Sequence, residues 1–276
     1  FQIGIDMMSK LIYKPINLSI SQSCEIENAK LKNVEIYKIK GVHPSGNESF
    51  QINRIDPLNS GEIIWVIKPE DLANIGSFFE TGVFCPKRTV AVSGDSLRSP
   101  KYYDTIIGSS ISSLVDSKEL SNIKNYRFIN GDPLSGSKVE YSGFLGFYNN
   151  ILSVISEGNQ FRMLGWLPFM YNNIPSFSRT SLSWLLGGEK KVNTNLNGEE
   201  RAIVVTGEME KYFPMDIFPM QLIKACMRGD IEKMESLGIY EVVPEDFGLV
   251  DFSCTSKIEA QEIVKSGIKL MLKEVG

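Results

Sequence analysis

Few residues in this chain have side chains suited to chemistry, and they are scattered. Its one histidine, His43, sits in the run HPSG, and its four cysteines, Cys24, Cys85, Cys226 and Cys254, stand far apart with no C-x-x-C pair. Metal sites, Ser-His-Asp triads and Cys-His dyads draw on histidine, so a lone one leaves little room for any of them. His43 is expected to be a loop-packing residue. An iron–sulfur cluster needs four thiolates, three of them usually close in sequence. Cys254, alone in DFSCTSK, does not meet that pattern. The cysteines read as reduced, mostly buried thiols. Neither G-x-G-x-x-G nor G-x-x-x-x-G-K-[ST] occurs. Gly131–Gly136 (GDPLSG) is glycine-flanked, but is expected to be a hairpin turn rather than a phosphate cradle. The acid pairs Glu199-Glu200 and Glu245-Asp246 lie in polar, surface-like contexts. Aromatic residues crowd Phe161–Trp184, which carries Trp166, Phe169, Tyr171, Phe177 and Trp184. Core of a small domain is the favoured reading; a docking face for a membrane partner or a flat apolar ligand such as a quinone is the other.

Composition bounds what could position such residues. The 276 residues suffice for one large domain or two to three small ones, and 42% hydrophobic content allows a real core. A net charge of -4 without a Lys/Arg stripe argues against nucleic-acid binding. No apolar run approaches the roughly 18 residues of a membrane helix. The longest candidate, Ile63–Ile67, is strand-length. The chain opens on Phe1 in a helical pattern without a signal peptide, so it is expected to be the C-terminal part of a longer protein.

Periodicity then divides the chain. Ile3, Met7, Met8 and Leu11 share a helical face that Pro15 ends, and Ile16–Ser21 and Val34–Lys40 alternate like strands. Asn28–Asn33 is polar, and Gly41–Gly61 reads as a long loop, a length that is uncommon unless functional. Glu62–Lys68 (EIIWVIK), a helix from Pro69 to Phe79, and Arg88–Ser93 suggest a parallel βαβ unit. The cluster SGDSLRSP at Ser93–Pro100 marks a boundary. Strands are expected at Tyr102–Ile107, Tyr126–Asn130, Phe147–Glu157, Phe161–Trp166 and Ala202–Val205, with short helices at Ser113–Leu120 and Arg179–Leu186. From Pro214 the pattern is helical. Asp216 is the expected N-cap of Ile217–Arg228, which Gly229 stops; Asp230 caps a helix that Gly238 ends; Ser256 and Glu259 form a capping box for the last helix.

Longer strings carry a resemblance. GVHPSG, DLANIGSFFETG, RTVAVSG, YRFINGDPLSG, GFYNNILSVISEG, FSRTSLSWLL, ERAIVVTGEMEKYFPMDIFPMQLIKACMRGD and SLGIYEVVPEDFGLVDFSC run in order along the whole chain. Together they resemble the A subunits of sodium-translocating NADH:quinone reductases, over roughly the C-terminal three-fifths of that polypeptide. That family is similar to the flavoprotein subunit of complex I and its Rnf relative. The resemblance implies a mixed α/β and α+β chain. Residues 1–94 would be the later part of a Rossmann-like domain, 95–157 a β-grasp domain, 158–213 a mixed segment and 214–276 a helical region. It implies a cofactor-free peripheral subunit on the cytoplasmic side of the bacterial inner membrane, capping the membrane B subunit. Its complex would oxidise NADH, reduce a quinone and move sodium ions, with flavins and iron centres in partner subunits. A quinone contact belongs to this picture, at residues the sequence does not identify, and no catalytic or metal residue is assigned. The alternatives are a stand-alone β-grasp ligand binder and a flavin-binding, NADH-oxidising subunit.

Overall fold

The computed structural model describes residues 1–24, 30–120, 122–159, 183–186, 190–204 and 207–274. Two compact units emerge, Phe1–Arg88 with Tyr240–Val242, and Thr89–Ile239 with Val243–Gly276.

In the first unit, α1 (Gln2–Met8) packs on α3 (Pro69–Thr81), and β1 (Ile16–Ser21) pairs in parallel with β2 (Val34–Ile39), Ile16 opposite Val34 and Ser21 opposite Ile39. Proline at the first position of α3, with Glu70 and Asp71 in the first turn, suits the free N–H groups and positive end of a helix. Gly82, left-handed at φ 71°, stops it. The helical face expected for α1 is wrong. Gly4 and Ile5 are its buried residues, while Ile3 and Leu11 are exposed. Glycines set this orientation: a Cβ on Gly4 would lie 2.3 Å from the Leu72 carbonyl oxygen, and one on Gly76 would lie 2.7 Å from the Gly4 nitrogen. The two backbones touch where no side chain intervenes, and small residues carry no hydrophobic signal.

Two further expectations fail in this unit. The long loop Gly41–Gly61 contains a helix, α2 (Glu48–Ile55), with Glu48 in its first turn and Arg54 in its last. The stretch Glu62–Lys68 joins no strand ladder. The βαβ unit therefore does not form. Its second strand, β3 (Lys87–Ser93), pairs instead with β7 (Ile151–Ser156), with Ala91 opposite Ile151.

The second unit holds a five-stranded mixed sheet in the order β4-β3-β7-β5-β6, with β4 at Lys101–Ile106, β5 at Tyr126–Asn130 and β6 at Ser137–Val139. β3 and β7 are parallel; β5 is antiparallel to both β7 and β6. Period-two alternation sends Val90 and Val92 inward from β3, with Leu152 and Val154 beside them from β7. These four meet Phe128, Leu145 and the short helix α4 (Ile111–Leu114) in one core. Gly94, at φ 136°, passes so close to β7 that a Cβ there would collide with the Val154 carbonyl. The helix α5 (Ser183–Leu186) falls within the expected Arg179–Leu186. Phe161–Trp166 lies outside the described residues, and Ala202–Val204 forms no strand.

Helices close this unit: α6 (Pro219–Arg228), α7 (Ile231–Ser236), α8 (Gly248–Ser253) and α9 (Ala260–Glu274). Gly229 at φ 64° ends α6, and the Asp230 carboxylate accepts from the Lys233 amide at the start of α7, both as expected. Two expected caps differ. Phe218, not Asp216, precedes α6. The Ser256 hydroxyl donates to the Ala202 carbonyl, and α9 is capped by Asp251 of α8, whose carboxylate accepts from the Ala260 and Gln261 amides. A side chain nine residues away has replaced the local capping box, because the α8–α9 turn brings it over the free N–H groups.

Candidate functional site

GDPLSG is a hairpin turn, linking β5 to β6. Asp132 Oδ1 accepts from the Leu134 and Ser135 amides at 2.8 and 3.1 Å, and the Ser135 hydroxyl donates to Oδ2 at 2.6 Å. Burial opposes the charge on Asp132, but these donors, together with its own backbone amide, outweigh it and hold the carboxyl below its ordinary range. Two of the turn's amides are thus spent on its own aspartate and cannot cradle a phosphate. The turn serves packing: the Leu134 carbonyl accepts from Gln261 Nε2 of α9, and Gly248 of α8 approaches the Leu134 backbone.

The cysteines do not meet the needs of a cluster. Cys254 is buried, Cys24 and Cys226 half-buried, and Cys85 exposed, so "mostly buried" is too simple. Cys24 and Cys85 belong to the first unit, Cys226 and Cys254 to the second. Burial pushes the Cys226 thiol up to about 11, which keeps it protonated at neutral pH, whereas a metal binds the thiolate. Among the described residues, no group of three or more His, Cys, Asp or Glu could hold a metal ion. Burial likewise raises the Asp251 carboxyl despite its bonds to Gln261 and Ala260, and lowers the Lys257 ammonium. Asp251 is already committed to capping α9.

His43 lies exposed before α2, across a cis bond from Pro44, rather than packed within its loop. The acid pairs also divide: Glu199 and Glu200 are on the surface, but Asp246 is buried, its Oδ2 accepting from the Val243 amide. Of the aromatic-rich segment, Trp166, Phe169, Tyr171 and Phe177 lie outside the described residues, and Trp184 on α5 is exposed, unlike a core residue.

A different aromatic group stands out, one that periodicity did not single out. Phe144, Phe147 and Tyr148, on the loop entering β7, are 65, 57 and 73% exposed. The Phe147 and Tyr148 rings meet edge to face with centroids 4.9 Å apart. The loop beneath them is anchored. The Leu145 amide donates to the Ser109 carbonyl at 2.8 Å, the Ile111 amide donates to the Gly143 carbonyl at 3.0 Å, and the Leu145 side chain is buried. Leu145, buried between exposed Phe144 and half-buried Gly146, pins the loop that carries the rings. Reading Phe147–Glu157 as one strand had hidden this, since the strand begins only at Ile151. The arrangement offers apolar ring faces on a fixed backbone, suited to stacking or docking.

Comparison with known proteins adds what the geometry does not name. Residues 1–84 match the family model described as the NqrA second alpha/beta domain, and residues 89–141 match the one described as the NQRA C-terminal domain. The chain is 34% identical over 276 residues to the A subunit of the Na(+)-translocating NADH-quinone reductase of Haemophilus influenzae strain 86-028NP, covering 99% of this chain and 61% of that protein. It is 31% identical over 279 residues to the corresponding polypeptide of Neisseria meningitidis serogroup C, with the same coverage. The chain thus spans about three-fifths of the length of the curated relatives it matches. With two domain models in sequence and similarity along 99% of its length, the chain is similar to the A subunits of Na(+)-translocating NADH-quinone reductases.

Proposed function

We propose that the chain is part of a cofactor-free, peripheral subunit of a sodium-pumping NADH:quinone oxidoreductase. Its role is assembly, against the membrane B subunit on the cytoplasmic side, together with a quinone contact. The carrying observation is similarity to the family's A subunits across 99% of the chain. Several features of the molecule support it. Among the described residues no helix is long and apolar enough to cross a membrane, which fits a peripheral position. The scattered thiols fit a chain without an electron carrier of its own. The mixed sheet with its β5–β6 hairpin supports a β-grasp reading of the second domain, and the parallel β1–β2 pair with α1 and α3 a Rossmann-like reading of the first. The exposed rings of Phe144, Phe147 and Tyr148 are the proposed quinone-facing surface.

The test is crosslinking of the assembled complex with a photoreactive quinone, mapped by peptide. Label on the peptide holding Phe144–Tyr148 is expected; label confined to other subunits removes the contact. Failure of the full-length polypeptide to co-purify with membrane subunits would overturn the assembly role. A stoichiometric flavin band at about 450 nm in the purified polypeptide would overturn the cofactor-free reading in favour of a flavin-binding one.

A further inference from the structure

Phe147 and Tyr148 are the corner residues of a tight turn, closed by the Asn149 amide donating to the Gly146 carbonyl at 3.0 Å. The Asn149 side chain folds back toward the foot of that turn. Its Oδ1 lies 2.8 Å from where a Cβ on Gly146 would be, and its Nδ2 lies 3.3 Å from the corresponding position on Gly131. A methyl on Gly146 would displace it. Asn149 is half-buried, and among the described residues its carboxamide makes no hydrogen bond. A second carboxamide stands beside Gly146. Asn130 Nδ2 lies 3.7 Å from the same Gly146 position and donates to the Phe144 carbonyl at 3.4 Å, which fixes its orientation; Asn130 Oδ1 is buried with no hydrogen-bond partner. Folded proteins pair nearly all such groups. Two carboxamides with unused capacity, beside exposed rings, mark a place where a ligand supplies the missing bonds.

The two kinds of group call for one kind of ligand. Aromatic faces take a flat ring, and a carboxamide offers one donating and one accepting end. We propose that Asn149 is the polar contact of the ring site: its Nδ2 donates to a carbonyl oxygen of a quinone head, and its Oδ1 accepts from the hydroxyl of the quinol. One residue thus serves the oxidised and the reduced ligand, while an apolar ring of equal size gains nothing from it. The inference rests on the ring contact proposed above and adds the group that makes it selective.

Competition in the assembled complex tests it, without NADH so that no ligand is reduced. A photoreactive quinone labels the peptide holding Phe144–Tyr148. The label is then displaced by duroquinone or by durene, the same tetramethyl ring without its oxygens. Duroquinone is expected to displace at a concentration about five-fold lower or more, the worth of a neutral hydrogen bond. Asn149→Ala should bring the two compounds within about two-fold of each other. That substitution removes no hydrogen bond made by the side chain within the described residues, so the fold should survive it. Asn149→Asp, nearly equal in size but without the donor, should lose the preference as well. No label on this peptide in the wild type overturns the ring contact, and this inference with it. Label that both compounds displace alike in the wild type, or a preference that survives both substitutions, overturns the role of Asn149 and leaves the ring contact standing.

Discussion

Cys226 and Cys85 show how far neighbours decide what one residue type can do. Cys226 packs against Gly267 of α9, and its thiol is raised by burial, while Cys85 is exposed on the loop after α3. A maleimide acts on the thiolate, so at neutral pH Cys85 should label first and Cys226 at least about ten-fold more slowly, read by peptide mass. Arg127 and Glu157 form a second informative pair. The guanidinium forks onto the carboxylate, with Nε donating to Oε2 at 2.8 Å and Nη2 to Oε1, and the Thr194 hydroxyl donates to the same carboxylate. The Arg127 bonds, with lesser help from Thr194, hold the Glu157 carboxyl below its usual range. Because the folded value is the lower one, the stabilisation is complete above the unfolded value of about 4.3 and is lost as pH falls through the folded one. Arg127→Met should therefore cost about 1–2 kcal/mol near neutral pH, and denaturant melts should show the gap from wild type closing below about pH 4. Nothing in the sequence pairs residues 127 and 157; they meet because β5 runs antiparallel beside β7.

Among the elements, the α1–α3 contact depends on two glycines. A methyl on Gly76 would meet the Gly4 backbone, which cannot swing aside as a side chain can. Alanine normally favours a helix over glycine by about 1 kcal/mol, but overpacking costs about 1–3. Gly76→Ala should thus be destabilising on balance, seen as faster hydrogen exchange in Leu72–Phe79. A rise in stability would show that the helices can move apart. Local signals fared well where local chemistry acts alone. Pro69, Gly229 and Asp230 mark helix ends in the structure because each acts on backbone within its own turn, whereas α3 runs on past the expected Phe79 to Thr81. They fared worse where a distant group competes: Asp251, not Ser256, caps α9, and Glu62–Lys68 has a strand's sequence but joins no ladder. The aromatic loop was missed for a related reason, since periodicity records which residues are apolar and not which are held outward.

For the whole molecule, the thiols are divided between two compact units, two in each, with no gathered donor set among the described residues. On the function proposed above, replacing all four with serine should leave electron transfer in the assembled complex largely intact. Loss of redox activity with the polypeptide folded and assembled would contradict that. The sequence alone determined the mixed α/β character, the poverty of catalytic groups and the family resemblance. These depend on residue identity and order, which the chain carries wherever it goes. Only the tertiary structure decided that β3 belongs with β7, that Leu145 pins the loop carrying Phe144, Phe147 and Tyr148, and that Trp65 lies open. Strand pairing and burial join residues far apart in sequence, and an apolar run reads the same whether it ends up paired or open.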